Sequence, residues 1–210
     1  HSIPGTIQAV DFDLGGNNVG YRDAAFQSTG QGANYTNYNQ GWTYRNDGVD
    51  IETWTGSPTV GQISADEWLQ YSIQVPNPGL YQIKLEYATT SSSSRVHFSM
   101  DGQTLQDTLT LPATSGWGSW RVENVVRVPL WTKADDYKLK LYFQTGGLNV
   151  RSIQLERLGP LALVQSPTQV RNGNTVVLQW MTEPTQILSN FRIEYREVGQ
   201  TTWQISDRIA

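Results

Sequence analysis

The feature that most constrains this chain is a two-residue alternation of apolar and polar side chains, repeated in one segment after another. In Glu67-Trp68-Leu69-Gln70-Tyr71-Ser72-Ile73-Gln74-Val75, the residues Leu69, Tyr71, Ile73 and Val75 fall on one face, and Trp68, Gln70, Ser72 and Gln74 on the other. Tyr81, Ile83, Leu85 and Tyr87 alternate with Gln82, Lys84 and Glu86, and Val96, Phe98 and Met100 with Arg95, His97 and Ser99. Tyr137, Leu139, Leu141 and Phe143 alternate in the same way with Lys138, Lys140 and Tyr142. Successive strand side chains point to opposite sides, so each segment reads as a strand with one face on a core and one toward water. Pro76-Asn77-Pro78-Gly79, Asp101-Gly102 and Gly146-Gly147 supply turns between them. No segment sustains a helical period. The predicted fold class is all-β, an antiparallel sandwich with negligible helix.

Composition agrees with that class and narrows the function. Of the 210 residues only 16% are charged, and the 19 Gly and 9 Pro suit a chain rich in turns. The 8 Trp and 10 Tyr exceed what one core requires. Such a surplus points to a binding surface, with core filling as the alternative for part of it. The net charge of −4 and the lack of any basic run make nucleic acid and anionic membranes poor partners. No apolar stretch approaches the roughly 20 residues that span a bilayer. The sequence shows no signal peptide, as expected of a mature or excised form.

The content of Cys, zero, excludes disulfides and thiolate chemistry, and His1 and His97 are too few for a histidine metal site. Asp50 and Glu52 share a strand face, with Asp66 and Glu67 further on. A glycosidase needs two carboxyls facing each other across the scissile bond, roughly 5–10 Å apart, and no motif marks such a pair. The chain therefore reads as a binding protein and not an enzyme.

Residues 14–47 break the alternation. They carry Gly15-Gly16-Asn17-Asn18 and then Tyr35, Tyr38, Trp42 and Tyr44. Long loops in compact domains are usually functional or disordered, and four aromatics favour an ordered binding loop. Gly159-Pro160 marks a boundary, giving units 1–158 and 159–210.

The motifs of the first unit run in order along residues 3–157: Ile3-Pro4-Gly5-Thr6-Ile7-Gln8-Ala9, Tyr21-Arg22-Asp23, Tyr44-Arg45 leading into Val49-Asp50-Ile51-Glu52, Glu67-Trp68-Leu69-Gln70-Tyr71, Gly79-Leu80-Tyr81, Gly116-Trp117-Gly118-Ser119-Trp120 and Gly147-Leu148-Asn149-Val150. In this series the first unit resembles the family 6 carbohydrate-binding modules. In the second unit, Thr175–Trp180, Phe191–Arg196 and Thr202–Ile205 resemble the first part of a fibronectin type III domain, an immunoglobulin-like sandwich of about seven strands. Residues 159–210 cover only part of such a fold. Its completion by a partner chain, by self-association or by docking is an open expectation.

The first resemblance implies a jelly roll with a loop-end cleft in which two aromatic rings sandwich one sugar ring. Stacking takes the C–H face of a pyranose out of water, and polar groups read its hydroxyls. Tyr44 and Trp117 match the aromatic pair, and Asn149 matches the hydrogen-bonding Asn. The alternatives are an ordinary loop aromatic for Tyr44, a core role for Trp117 (though Trp120 has the better claim to the core) and a turn role for Asn149. The family opening "EAE" serves a structural calcium and, in part, the sugar site. Here it reads Gln8-Ala9-Val10, which leaves Gln8, Glu156 and backbone carbonyls as candidate ligands. Arg151 replaces the second Asn of the closing motif and would suit an anionic sugar, or else simply faces outward from its strand. Some members carry a second cleft on the concave sheet face, where Trp68, with Glu67 and Trp54, is the candidate. Burial of Trp68 under the 14–47 loop is the alternative. The implied function is non-catalytic polysaccharide binding by a module of a larger secreted or cell-surface bacterial enzyme. The competing expectation is an assembly subunit of an extracellular complex.

Overall fold

A computed structural model describes residues 1–24, 49–131 and 135–160, together with four strands further on, 168–172, 175–179, 193–195 and 204–206. The alternating segments become strands of two antiparallel sheets whose apolar faces meet. The first sheet holds β1 (Gly5–Gln8), β3 (Ile51–Trp54), β4 (Ser57–Val60), β6 (Gly79–Ala88), β10 (Arg121–Leu130) and β12 (Asn149–Gly159), in the order β10-β6-β12-β4-β3 with β1 also on β12. The second holds β2 (Tyr21–Arg22), β5 (Glu67–Ile73), β7 (Arg95–Met100), β8 (Gln103–Thr104), β9 (Leu109–Thr110) and β11 (Tyr137–Phe143), in the order β2-β5-β11-β7-β8 with β9 also on β7. No helix occurs among the described residues. The remaining strands pair as two antiparallel hairpins, β13 (Thr168–Asn172) with β14 (Thr175–Gln179) and β15 (Ile193–Tyr195) with β16 (Gln204–Ser206).

Register puts the predicted faces where the alternation assigns them. Leu141 lies opposite both Leu69 and Phe98, and Ile83 opposite Leu155, all buried. Tyr81, Ile83, Leu85 and Tyr87 are fully buried together. Tyr71 brings a hydroxyl inside and donates it to the Ala9 carbonyl at 2.9 Å, which satisfies a group that would otherwise be costly to bury. The Asp101-Gly102 turn has both residues at positive φ (49° and 84°), as a two-residue hairpin of this twist requires.

Two departures from regularity matter for function. The register of β12 against β6 shifts between Val150 and Ser152, so Arg151 is an extra, bulged residue whose side chain is re-aimed. A shift also occurs between Asn124 and Val126 on the edge strand β10. The second departure is a buried acidic group. Asp23, Asp50 and Glu67 are 6%, 9% and 6% exposed. Glu67 accepts hydrogen bonds from the N–H groups of Ala24 (2.9 Å) and Ser64 (3.1 Å), and Asp23 accepts from the Asp50 N–H at 3.2 Å. Burial pushes the Asp50 carboxyl up to about 7, and the charges of Asp23, Glu67 and Glu52 act in the same direction. Burial likewise pushes Glu67 up to about 7, against the two N–H groups that favour its charged form.

In an unfolded chain these carboxyls titrate near 3.8 and 4.5, so across the interval up to about 7 the folded protein holds more protons than the unfolded one. Stability from this pair is therefore full at acidic pH and is lost as pH rises through about 7. The melting temperature is expected to fall between about pH 5 and 8, and Asp50→Asn combined with Glu67→Gln to flatten that fall. Calorimetric scans across this range check it, and a melting temperature that rises with pH, or a slope unchanged in the double variant, contradicts it.

Candidate functional site

The connections between strands converge on a cleft of about 660 Å³ lined by Glu52, Trp54, Gln62, Ile63, Ser64, Trp117, Gly147, Leu148 and Asn149. Strand β3 supplies the first two. Ile51 faces the core, so alternation turns Glu52 and Trp54 together to the other side. The hairpin turn beyond Trp54 is made by Thr55 and Gly56, both at positive φ. Gln62, Ile63 and Ser64 come from the connection between β4 and β5, Trp117 from the one between β9 and β10, and Gly147 and Leu148 from the one between β11 and β12.

A short hydrogen-bonded chain fixes one wall. The indole N–H of Trp54 donates to Glu52 Oε2 at 2.6 Å, and the Gln62 amide donates to Oε1 at 3.0 Å. Glu52 is 7% exposed, so its carboxylate is held and not free to sweep the cleft. Backbone approaches it closely: a Cβ on Gly61 would lie 2.5 Å from Glu52 Oε1 and 3.0 Å from Asn149 Oδ1. Any larger residue there would have to push the Glu52 carboxylate aside. On the other wall Trp117 is 38% exposed, and the buried Asn149 donates from Nδ2 to the Trp117 carbonyl at 3.3 Å. Gly118 brings the two walls together, since a Cβ there would sit 3.3 Å from Trp54 Cε3. The Gly147 carbonyl is anchored by the buried Thr89 hydroxyl at 2.6 Å.

Among the residues expected at the loop-end site, Trp117 and Asn149 come together, and Trp117 stands at the surface while carrying no core role. Tyr44, and with it most of the expected 14–47 binding loop, lies outside the described residues. Gln8 is opposite Ser152 on β1 and takes no part in the cleft. Arg151 is also elsewhere. Its guanidinium lies 3.9 Å over the Trp120 ring, pairs with Glu86 at 3.2 Å and donates to the Thr55 hydroxyl. The β12 bulge re-aims it, and these three partners make it a brace on the outer face of the first sheet. Trp120 belongs to that brace too: it is half-buried, gives its indole N–H to Thr55 at 3.2 Å and is no core residue.

The residues grouped for a second cleft divide three ways. Trp68 does sit on the outer face of the second sheet, beside Lys140 (4.0 Å to the ring) and Tyr142, which stacks on His97 at 4.6 Å. Glu67, one residue earlier, turns inward to the acidic group, as the strand period demands. Trp54 is on the other sheet and lines the loop-end cleft. Gln8 and Glu156 do not fit a shared calcium site. Glu156 is four residues along β12 from Ser152, the partner of Gln8, a separation of roughly 13 Å, and it pairs with Lys84 at 2.6 Å.

Glu52, Gln62 and Ser64 were not anticipated as lining residues. Alternation carries a signal for Glu52, which shares a face with Trp54. Gln62 and Ser64 lie in a connection, where no periodicity marks them.

Comparison with known proteins agrees with this architecture. No curated protein matches the chain. Among solved structures, a carbohydrate-binding module from Cellvibrio mixtus lichenase 5A, in complex with cellotriose, is 23% identical over 74% of this chain and 98% of its own, with a TM-score of 0.52. The C-terminal family 6 module of a marine laminarinase from Zobellia galactanivorans is 26% identical over 52% of this chain and 88% of its own, with a TM-score of 0.47. The model of the carbohydrate binding module family 6 matches residues 40–157, more than half of the chain, and the chain belongs to that family of non-catalytic modules.

Proposed function

We propose that this polysaccharide-binding module takes its ligand in the Trp54–Trp117 cleft, with one sugar ring stacked on Trp117. The observation that carries the reading is the half-exposed Trp117 ring facing a cleft whose other lining groups are mostly polar and held in place. A pyranose presents an apolar C–H face and a rim of hydroxyls, and a ring beside fixed polar groups complements both. Asn149 spends one amide hydrogen on the Trp117 carbonyl, which orients its remaining polar capacity. By the family resemblance Tyr44 is the opposing ring. The neighbour crystallised with cellotriose makes a β-glucan a reasonable first ligand to try.

A second surface is favoured by one observation, the row Trp68–Tyr142–His97 across β5, β11 and β7. Trp68 and His97 both lie directly opposite Tyr142, on the outer face. Three rings in register make a platform suited to a sugar chain. We also assign residues 159–210 to a separate unit of fibronectin type III type, supported by their paired strands, and place the module in a secreted polysaccharide-degrading enzyme, supported by its family.

Trp117→Ala is expected to weaken binding by roughly 1–3 kcal/mol, by analogy with stacking of bases on aromatic rings, and to leave the fold intact. Affinity electrophoresis in a panel of polysaccharides checks this; retained affinity would move the site to the Trp68 face. Arg151→Ala is expected to lower the melting temperature while changing affinity less than about twofold, because its ion pair and ring contact are internal. A large loss of affinity in that variant would return Arg151 to the binding site.

A further inference from the structure

We propose that Glu52 makes the cleft selective for uncharged glycans, accepting hydrogen bonds from sugar hydroxyls and repelling carboxylated or sulfated rings. The inference rests on the reading that this cleft is the sugar site. Glu52 is the one charged side chain among the described residues that line it. A carboxylate has about four lone-pair sites, and Trp54 and Gln62 occupy one on each oxygen, which leaves acceptor capacity for hydroxyl donors. Both bonds, and the Gly61 backbone packed against Oε1, keep the group in place. An anionic substituent entering the cleft therefore meets a like charge that cannot rotate away and that is poorly screened because it is buried.

No cation among the described lining residues offsets it. The residue that sequence marked for an anionic ligand, Arg151, is already engaged by Glu86, Thr55 and Trp120. The selectivity is thus built from a fixed negative group that no cation among the described lining residues offsets. It acts on the chemical class of the sugar, whereas ring stacking on Trp117 is indifferent to distant charge.

The test uses laminarin, lichenan and xylan, each native and partially carboxymethylated, in affinity electrophoresis of the full chain at low and high salt. The unsubstituted protein is expected to bind a native glycan about tenfold more tightly than its carboxymethylated form at low salt, with the gap narrowing at high salt. Glu52→Gln is expected to close most of the gap. Glu156→Gln, which removes the same charge seven residues down β12 from Asn149, roughly 23 Å away, is expected to leave it open. The proposal is overturned if Glu52→Gln keeps the gap, if Glu156→Gln closes it equally, or if the unsubstituted protein prefers the charged polymers. The salt comparison on the unsubstituted protein needs no variant: a gap indifferent to salt also overturns the proposal, even if Glu52→Gln fails to fold. Trp117→Ala separates the two levels. Binding lost in Trp117→Ala with no change in charge preference in Glu52→Gln removes Glu52 alone. Binding kept in Trp117→Ala, or absent for every glycan, removes the site itself.

Discussion

Burial of two alternating apolar faces against each other dictates where every other side chain in this molecule can stand. Leu69, Tyr71 and Ile73 on β5 and Ile83, Leu85 and Tyr87 on β6 are fully enclosed, and a slip of one residue in either strand would turn all of them to water. The same period that encloses them forces Trp68 outward and Glu67 inward. The cleft inherits this rigidity. Its aromatic and polar groups are carried on β3, on the start of β12 and on connections whose ends the core has already fixed, and a preorganised site loses little entropy on binding.

That constraint also explains what could be read from residues and what could not. The faces of β5, β6, β7 and β11 follow from period alone, and so does the outward Trp68. Asn149 and Trp117 carried a motif signal, and the fold brings them to one cleft. Grouping Glu67 and Trp54 with Trp68 failed for two separate reasons: Glu67 is adjacent to Trp68 and so points the other way, and Trp54 is on the opposite sheet. Pairing of sheets is a long-range property that a local pattern does not contain. Arg151 eluded the pattern because a bulge inserts one residue into β12, and nothing in Val150-Arg151-Ser152 announces it. Trp120 had a better claim to the core than Trp117, yet its indole N–H and flat face find their partners in Thr55 and Arg151.

Buried acidic groups recur on β3, β5 and just beyond β2, and their cost differs with their partners. Glu52 is satisfied by two side-chain donors and lines the cleft. Asp50 and Glu67 are packed near Asp23, and burial drives both carboxyls toward neutrality even though Glu67 accepts two backbone N–H groups. Glu67 nevertheless ties Ala24 to Ser64, a residue of the cleft wall, across a long stretch of sequence. An apolar replacement would pack more cheaply but would leave two buried N–H groups without acceptors. The carboxyl is thus retained as a clasp that positions the wall, at some expense of stability near neutral pH.

The placement of charge follows from this arrangement of clasp and brace. A binding face for neutral sugars needs hydroxyl acceptors that stay still, and a carboxylate is the strongest acceptor a side chain offers. Like charges repel, and the charge of Glu52 helps to raise the carboxyl of Asp50 two residues away. Glu67 is carried on a different strand: Glu52 leaves β3 on the cleft side, while Glu67 leaves β5 on the core side. Arginine, the natural counter-ion, is drawn to the outer face by Glu86 and by the Trp120 ring. The bulge at Arg151 therefore leaves Glu52 as the one charged group among the described residues that line the cleft.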